Sequence, residues 1–192
     1  RLGGAVVGLD GGQARLADGG RIACDALVVA TGAAPALAGP VPELRALTPI
    51  KGQILRLPGI VAEGPVLRLR KGYVCPDPAG AIVGASMEAG RSDRTIDPGV
   101  VAALLANAAQ ALPALAGAAH EAAVGVRAGA ADGLPLAGAS RTEGVWLAAG
   151  ARRNGWLLAP VIAETLVAAL AGRDGPASAA LDPARLSLAA ER

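Results

Sequence analysis

An apolar pentapeptide, Val145–Ala149, runs through Gly150-Ala151-Arg152-Arg153-Asn154-Gly155 directly into an apolar-periodic stretch that closes at Gly172. No other feature restricts the fold as strongly. A strand that passes into a helix without a linker needs sheet neighbours, and its helix must lie back on that sheet. Pro160 has no amide hydrogen, so it is expected in the first helical turn, which leaves the amides of Gly155 to Leu158 free. Gly172 is the expected stop. Free amides and the positive end of a helix dipole attract negative charge. A plain strand–turn–helix link needs a glycine and a cap, but not Arg-Arg-Asn-Gly, which makes the segment a candidate holder of an anionic ligand or cofactor.

The rest of the chain alternates short apolar runs with glycine and proline turns. Residues 5–32 read as three strands: 5–9, 14–17 after Gly11-Gly12, and 26–32 after Asp18-Gly19-Gly20. The last run is continuously apolar and is expected to be buried on both faces. Residues 33–48 are a connection with a helical turn at 43–46. Strands are expected at 50–57, 66–70, 73–76 and 81–85, with a turn at Asp77-Pro78-Ala79-Gly80. A helix starts at Asp97-Pro98 and runs to about Ala111, burying Val101, Leu104, Leu105, Ala108 and Leu112. A further strand is expected at 123–127, and the tail after Arg173 is expected to be loosely held.

Composition excludes several classes. With 192 residues, 53% hydrophobic and 18% charged, there is ample apolar surface to offset chain entropy. A net charge of +2 gives no case for binding nucleic acid or an anionic membrane. Cys24 and Cys75 form no CxxC pair and are read as two thiols, and a single histidine, His120, argues against a metal centre. The uncharged stretch 98–120 is interrupted by Asn107, Gln110 and Pro113, which favours a soluble helix over a membrane span. With no signal peptide in view, a cytoplasmic location is expected. Because the chain opens on Arg1, it is read as a fragment or a processed product.

Gly150, Arg153-Asn154-Gly155 and Leu157-Leu158-Ala159-Pro160 resemble the carboxyl-end signature of the glycine oxidase and D-amino-acid oxidase family, with Ala151 and Trp156 as departures. Further stretches are similar in the same order: Val28-Val29-Ala30-Thr31-Gly32-Ala33, Pro49-Ile50-Lys51-Gly52-Gln53, Tyr73-Val74-Cys75-Pro76, Gly84-Ala85-Ser86-Met87-Glu88, Gly125-Val126-Arg127 and Asp132-Gly133-Leu134-Pro135. The family's Gly-x-Gly-x-x-Gly pyrophosphate turn is absent from the sequence. The resemblance therefore implies a carboxyl-terminal half whose amino-terminal partner half is missing, inactive as an isolated piece.

What the resemblance implies is an α+β flavoenzyme: an antiparallel substrate-binding sheet plus the last strand and helix of a Rossmann-like FAD-binding domain. Residues 1–48 and 141–175 would belong to the FAD domain, 49–140 to the substrate domain and 176–192 to the tail. The implied reaction is oxidative deamination of glycine or another small amino acid, with hydride passing to FAD and oxygen giving peroxide. A D-amino-acid dehydrogenase, a sarcosine-oxidase-like enzyme and a non-catalytic module that has lost FAD stay open as alternatives. By match to the motifs, Arg127 is the first choice to grip the substrate carboxylate and Arg153 the second, with the Tyr73 hydroxyl closing the pocket. FAD would be held by Thr31, Gly32, Ala151, Arg152, Arg153, Asn154, Gly155, Trp156 and Leu157. No general base and no metal ligand is implied. The expected partners are a small amino acid and the missing half; a homo-oligomer stays open.

Beside the resemblance, which would have Arg152 serve the site and Trp156 pack on the flavin, the plainer readings stay open that Arg152 faces solvent and Trp156 closes the helix start. Trp146 is expected in the core, His120 on a surface loop, Lys51 in a structural role and Asp132-Gly133 in a turn.

Overall fold

The computed structural model describes residues 3–10, 13–60 and 63–188. Gly11-Gly12 and residues 189–192 lie outside the described residues. The strands are β1 (Val6–Asp10), β2 (Gln13–Leu16), β3 (Arg21–Ala23), β4 (Leu27–Val29), β5 (Thr48–Pro58), β6 (Leu67–Leu69), β7 (Gly72–Asp77), β8 (Gly80–Gly84) and β9 (Glu88–Ala89). Helix α1 (Pro98–Ala111) follows, then β10 (Glu121–Gly129), β11 (Leu136–Ala139), β12 (Val145–Ala149), α2 (Gly155–Leu170) and α3 (Ser178–Leu181). The result is an α+β chain that divides into two compact units. One contains the described residues up to Thr48 and from Arg127 onward, and the other is Pro49–Val126. Residues 127–140 thus fold with the first unit.

In the first unit β1, β2 and β3 form an antiparallel meander, while β11, β12 and β4 form a mixed sheet in that order. Alternation decides what each face of the mixed sheet covers. Leu136, Val145, Leu147 and Ala149 turn toward Leu37, Val41 and Leu44 on one side. Ala137 and Ala148 turn toward Ile162 of α2 and Leu181 of α3 on the other. The alanines let the helix approach closely.

Four expectations are corrected in this unit. The apolar run 26–32 is a strand only over Leu27–Val29 and is not buried on both faces, since Val28 is 43% exposed. Here β4 is the sheet's edge, paired with β12 alone. Pro160 is the sixth residue of α2 and so lies in its second turn. The helix tolerates it because the carbonyl that loses a partner is that of Trp156, beside the exposed helix start. The described part of the tail, up to residue 188, is not loosely held: Leu181 is buried, and Arg185 donates to both carboxylate oxygens of Asp132 and to the Leu134 carbonyl. Trp146 is half-buried rather than a core residue.

In the second unit β10, β5, β8, β7 and β6 lie side by side in that order, with β9 added to β5. Helix α1 covers one face of this sheet. Its Val101, Leu104 and Ala108 pack with Leu55, Leu57, Val74, Ala81, Val83 and Leu115, while Leu105 and Leu112 lie at the margin. The Asp97 carboxylate caps the helix, accepting from the amides of Gly99 and Val100 at 2.9 and 3.3 Å. The β7–β8 hairpin turns where expected, Asp77 paired with Gly80.

Candidate functional site

Strands β4 and β12 run parallel, with Leu27, Val28 and Val29 opposite Val145, Trp146 and Leu147. Their carboxyl ends therefore deliver Ala30-Thr31-Gly32 and Gly150-Ala151 to the same edge of the sheet, the edge at which open α/β sheets receive ligands. Gly150 has φ +76°, and a β-carbon there would come within 3.0 Å of the Leu47 side chain, so the turn requires glycine. Above Gly32 there is open space: an added β-carbon would meet nothing within 4 Å.

Beyond Gly150 the chain bends in three steps. Ala151 bridges antiparallel to Gly129 of β10. Arg152 adopts φ +49°, the one left-handed non-glycine among the described residues, at a cost of roughly 1–2 kcal/mol. A single 3-10 turn over Arg152–Asn154 then leads into α2, with the Asn154 amide donating to the Ala151 carbonyl at 3.0 Å. No side chain caps α2. The first-turn amides, Gly155 to Leu158, thus have no side-chain acceptor, behind two exposed arginines. Trp156 is 97% and Leu157 80% exposed, leaving an apolar step beside the donors.

Arg127, half-buried on β10, stands two residues before Gly129 and on the same side of the strand. The Gly129–Ala151 bridge therefore ties the Arg127 strand to the bend that carries Arg152, Arg153 and Asn154.

Tyr73 belongs to the second unit. It lies on β7 between Arg68 of β6 and Gly84 of β8, and Gly84 in turn faces Ile54 of β5. The phenol lies across Gly84: a β-carbon there would meet the Tyr73 hydroxyl at 2.7 Å and the Ile54 side chain at 2.9 Å. Only glycine permits this seat.

Beside that row lies a polar cluster that the sequence did not single out. Lys51 and Gln53 on β5 are fully buried. The Lys51 ammonium donates to Asp93 at 2.6 Å, and Gln53 Nε2 donates to Glu88 Oε1 at 2.9 Å. Ser86 Oγ donates to the same Glu88 oxygen at 2.6 Å, and Arg91 reaches both Glu88 and Asp93 at 3.0 Å. The Lys51 ammonium, and then the Arg91 guanidinium, hold the Asp93 carboxyl down to about 2. Hydrogen bonds from Ser86 and Gln53 lower that of Glu88. The one available signal was that Lys51 and Gln53 occupy the same alternation as Leu55 and Leu57.

His120 is exposed, and Cys24 and Cys75 are not joined to each other. Among the described residues, no group of histidine, cysteine, aspartate or glutamate could hold a metal ion, and no helix is long and apolar enough to cross a membrane.

Residues 1–169 match the model of the FAD dependent oxidoreductase family. The chain belongs to that family. A glycine oxidase of Pseudomonas putida is 36% identical over 142 residues, 71% of this chain and 37% of the relative. Among solved structures, glycine oxidase from Geobacillus kaustophilus superposes with a TM-score of 0.75 at 26% identity, covering 90% of this chain and 48% of the other. Iminodiacetate oxidase from Chelativorans sp. BNC1 gives 0.74 at 27% identity, covering 91% and 51%. The chain thus spans about two fifths of that curated relative's length and about half of those solved chains. FAD is the family's cofactor. The bend suits such a group: uncapped amides, two guanidinium groups and the open floor at Gly32 present donors and space to a flat, electron-rich molecule.

Proposed function

We propose that this chain serves FAD-dependent oxidation of a small amino acid, glycine foremost, with Thr31, Gly32 and residues 151–157 holding the cofactor. The observation that carries the reading is the Gly129–Ala151 bridge, which joins a half-buried arginine to the donor-rich bend. When bound, FAD would take a hydride from the amino acid's α-carbon and pass its electrons to oxygen as peroxide, leaving an imine that water hydrolyses.

The protein's own tasks are binding and charge. Arg127 offers a planar guanidinium that grips a carboxylate through two parallel hydrogen bonds, and Arg153 offers a second. In the second unit, Tyr73 offers a hydroxyl donor of the kind that the family resemblance assigns to a substrate carboxylate. First-turn amides of α2, already oriented, stabilise negative charge that gathers beside them without further reorganisation. With the amine arriving neutral, no side chain need take up a strong proton load, which fits a set without histidine.

The test combines cofactor binding with turnover. Where the resemblance implied an inactive isolated piece, adding FAD to this chain should instead raise its melting temperature, and FAD with glycine and oxygen should yield peroxide. Arg127→Ala should raise KM steeply, since removing one partner of a buried charge-assisted contact costs roughly 2–5 kcal/mol. Absence of any thermal shift with FAD, or a KM indifferent to Arg127→Ala, would remove the assignment. Turnover with a dye acceptor but not with oxygen would move it to a dehydrogenase.

A further inference from the structure

A buried lysine is a costly choice for a sheet interior. Ion pairs of this kind can often be replaced by apolar side chains without loss of stability, so stability alone does not account for Lys51. What the pair does hold is a segment. After Gly84 the chain leaves β8 and, apart from the two residues of β9, runs to Asp97 without regular structure, its stretch from Ala89 to Ile96 exposed throughout. Three clasps from β5 fix it. At its start the Gln53 amide donates to Ser86 Oγ at 2.9 Å and the Ser86 amide to the Gln53 carbonyl at 3.1 Å. At its end Gln53 Oε1 accepts from the Asp97 amide at 2.8 Å. The middle is held by the Lys51 ammonium on Asp93, with Arg91 bracing Asp93 to Glu88. Gly84, the last residue of β8 and two residues ahead of the Ser86 clasp, is the floor on which the Tyr73 phenol lies.

We propose that Lys51 is a positioning residue: through Asp93 it pins the 86–96 segment against β5 and so fixes the seat of the Tyr73 hydroxyl over Gly84. The inference rests on Tyr73 as a contact for the substrate carboxylate. The Lys51 ammonium is bonded to Asp93 and acts through the segment.

Tyr73 is the sole tyrosine of the chain, so 3-fluorotyrosine labelling gives one fluorine resonance that reports its seat. The segment carries its own protease reporter in Arg91 and Arg94, both exposed. In full chains, Lys51→Met and Asp93→Asn should each shift the fluorine resonance and speed tryptic cleavage after Arg91 and Arg94 by about tenfold, because the pinned segment opens more often. Lys51→Arg should restore both. With FAD and glycine, the first two variants should raise KM by about tenfold while kcat stays within about twofold, the pattern of a lost binding contact. Asp93→Asn leaves the apolar core intact, so it decides the matter if Lys51→Met does not fold. A folded Asp93→Asn chain with the wild-type resonance and wild-type cleavage overturns the pin. A shifted resonance with unchanged KM overturns its role in substrate binding. Should the wild-type chain leave glycine unoxidised while resonance and cleavage respond as stated, the oxidase reading fails and the pin stands.

Discussion

Asp93 carries the most perturbed carboxyl of the cluster, and its pH behaviour follows from its partners. Its pKa lies at about 2 rather than its ordinary 3.8, because the Lys51 ammonium and the Arg91 guanidinium both favour the charged form. For a carboxyl depressed by folding, the unfolded chain takes up protons first as pH falls. The stabilisation is therefore complete above the ordinary value and drains away as pH drops toward about 2. Urea unfolding of the wild type and of Asp93→Asn should show a stability gap that is constant from neutral pH to about 5 and narrows steadily below about 4. A gap of the same size at pH 7 and at the acid end would mean that the pair holds no charge worth protecting. Glu88, lowered by its Ser86 and Gln53 hydrogen bonds, should contribute to the wild-type slope in the same direction.

The elements show how local chemistry and long-range packing divide the work. Helix α1 is set by its own residues: Asp97 caps two amides, Pro98 opens the first turn and the buried positions recur at helical spacing. Asp97→Ala should cost about 1 kcal/mol in chemical denaturation, and a loss below a few tenths would show that the backbone, not the cap, fixes the start. Such elements were legible in the sequence for this reason, as were β12 and the Asp77–Gly80 turn. Elements that depend on distant neighbours were not. An apolar run such as 26–32 announces low water affinity but not which strand lies beside it, so the exposure of Val28 at a sheet edge was invisible. Leu136-Ala-Gly-Ala139 is too weak a β-former to be noticed, yet it is drawn into the sheet by pairing with β12. Pro160 misled because proline's preference for a helix start says nothing about how far upstream the helix can begin. In the candidate site, the bend at 150–157 could be read because its residues are consecutive. The Lys51 cluster could not, because its partner lies 42 residues away.

At the scale of the whole chain, each unit closes a core of its own. The second unit is contiguous, and its cluster of Leu55, Leu57, Val74, Val83, Val101 and Leu104 is supplied by β5, β7, β8 and α1. The first unit is made of two chain segments, sewn together by β4 pairing with β12 and by the Glu43 carboxylate accepting from Ser140 Oγ and the Arg141 amide. Two cores allow two cooperative transitions, and a single unfolding free energy would then describe neither. The aromatic residues separate the signals: Trp146 and Trp156 lie in the first unit and Tyr73 in the second. With Trp156 almost fully exposed, the fluorescence change on unfolding falls to Trp146. Leu55 is fully buried in the second core, so Leu55→Ala should weaken that unit by roughly 2–5 kcal/mol. Its effect should appear as an earlier urea midpoint in the fluorine signal of labelled Tyr73, with the Trp146 transition moving far less. If both signals shift together by the same amount, the chain unfolds as one cooperative body, and the two cores are thermodynamically a single one.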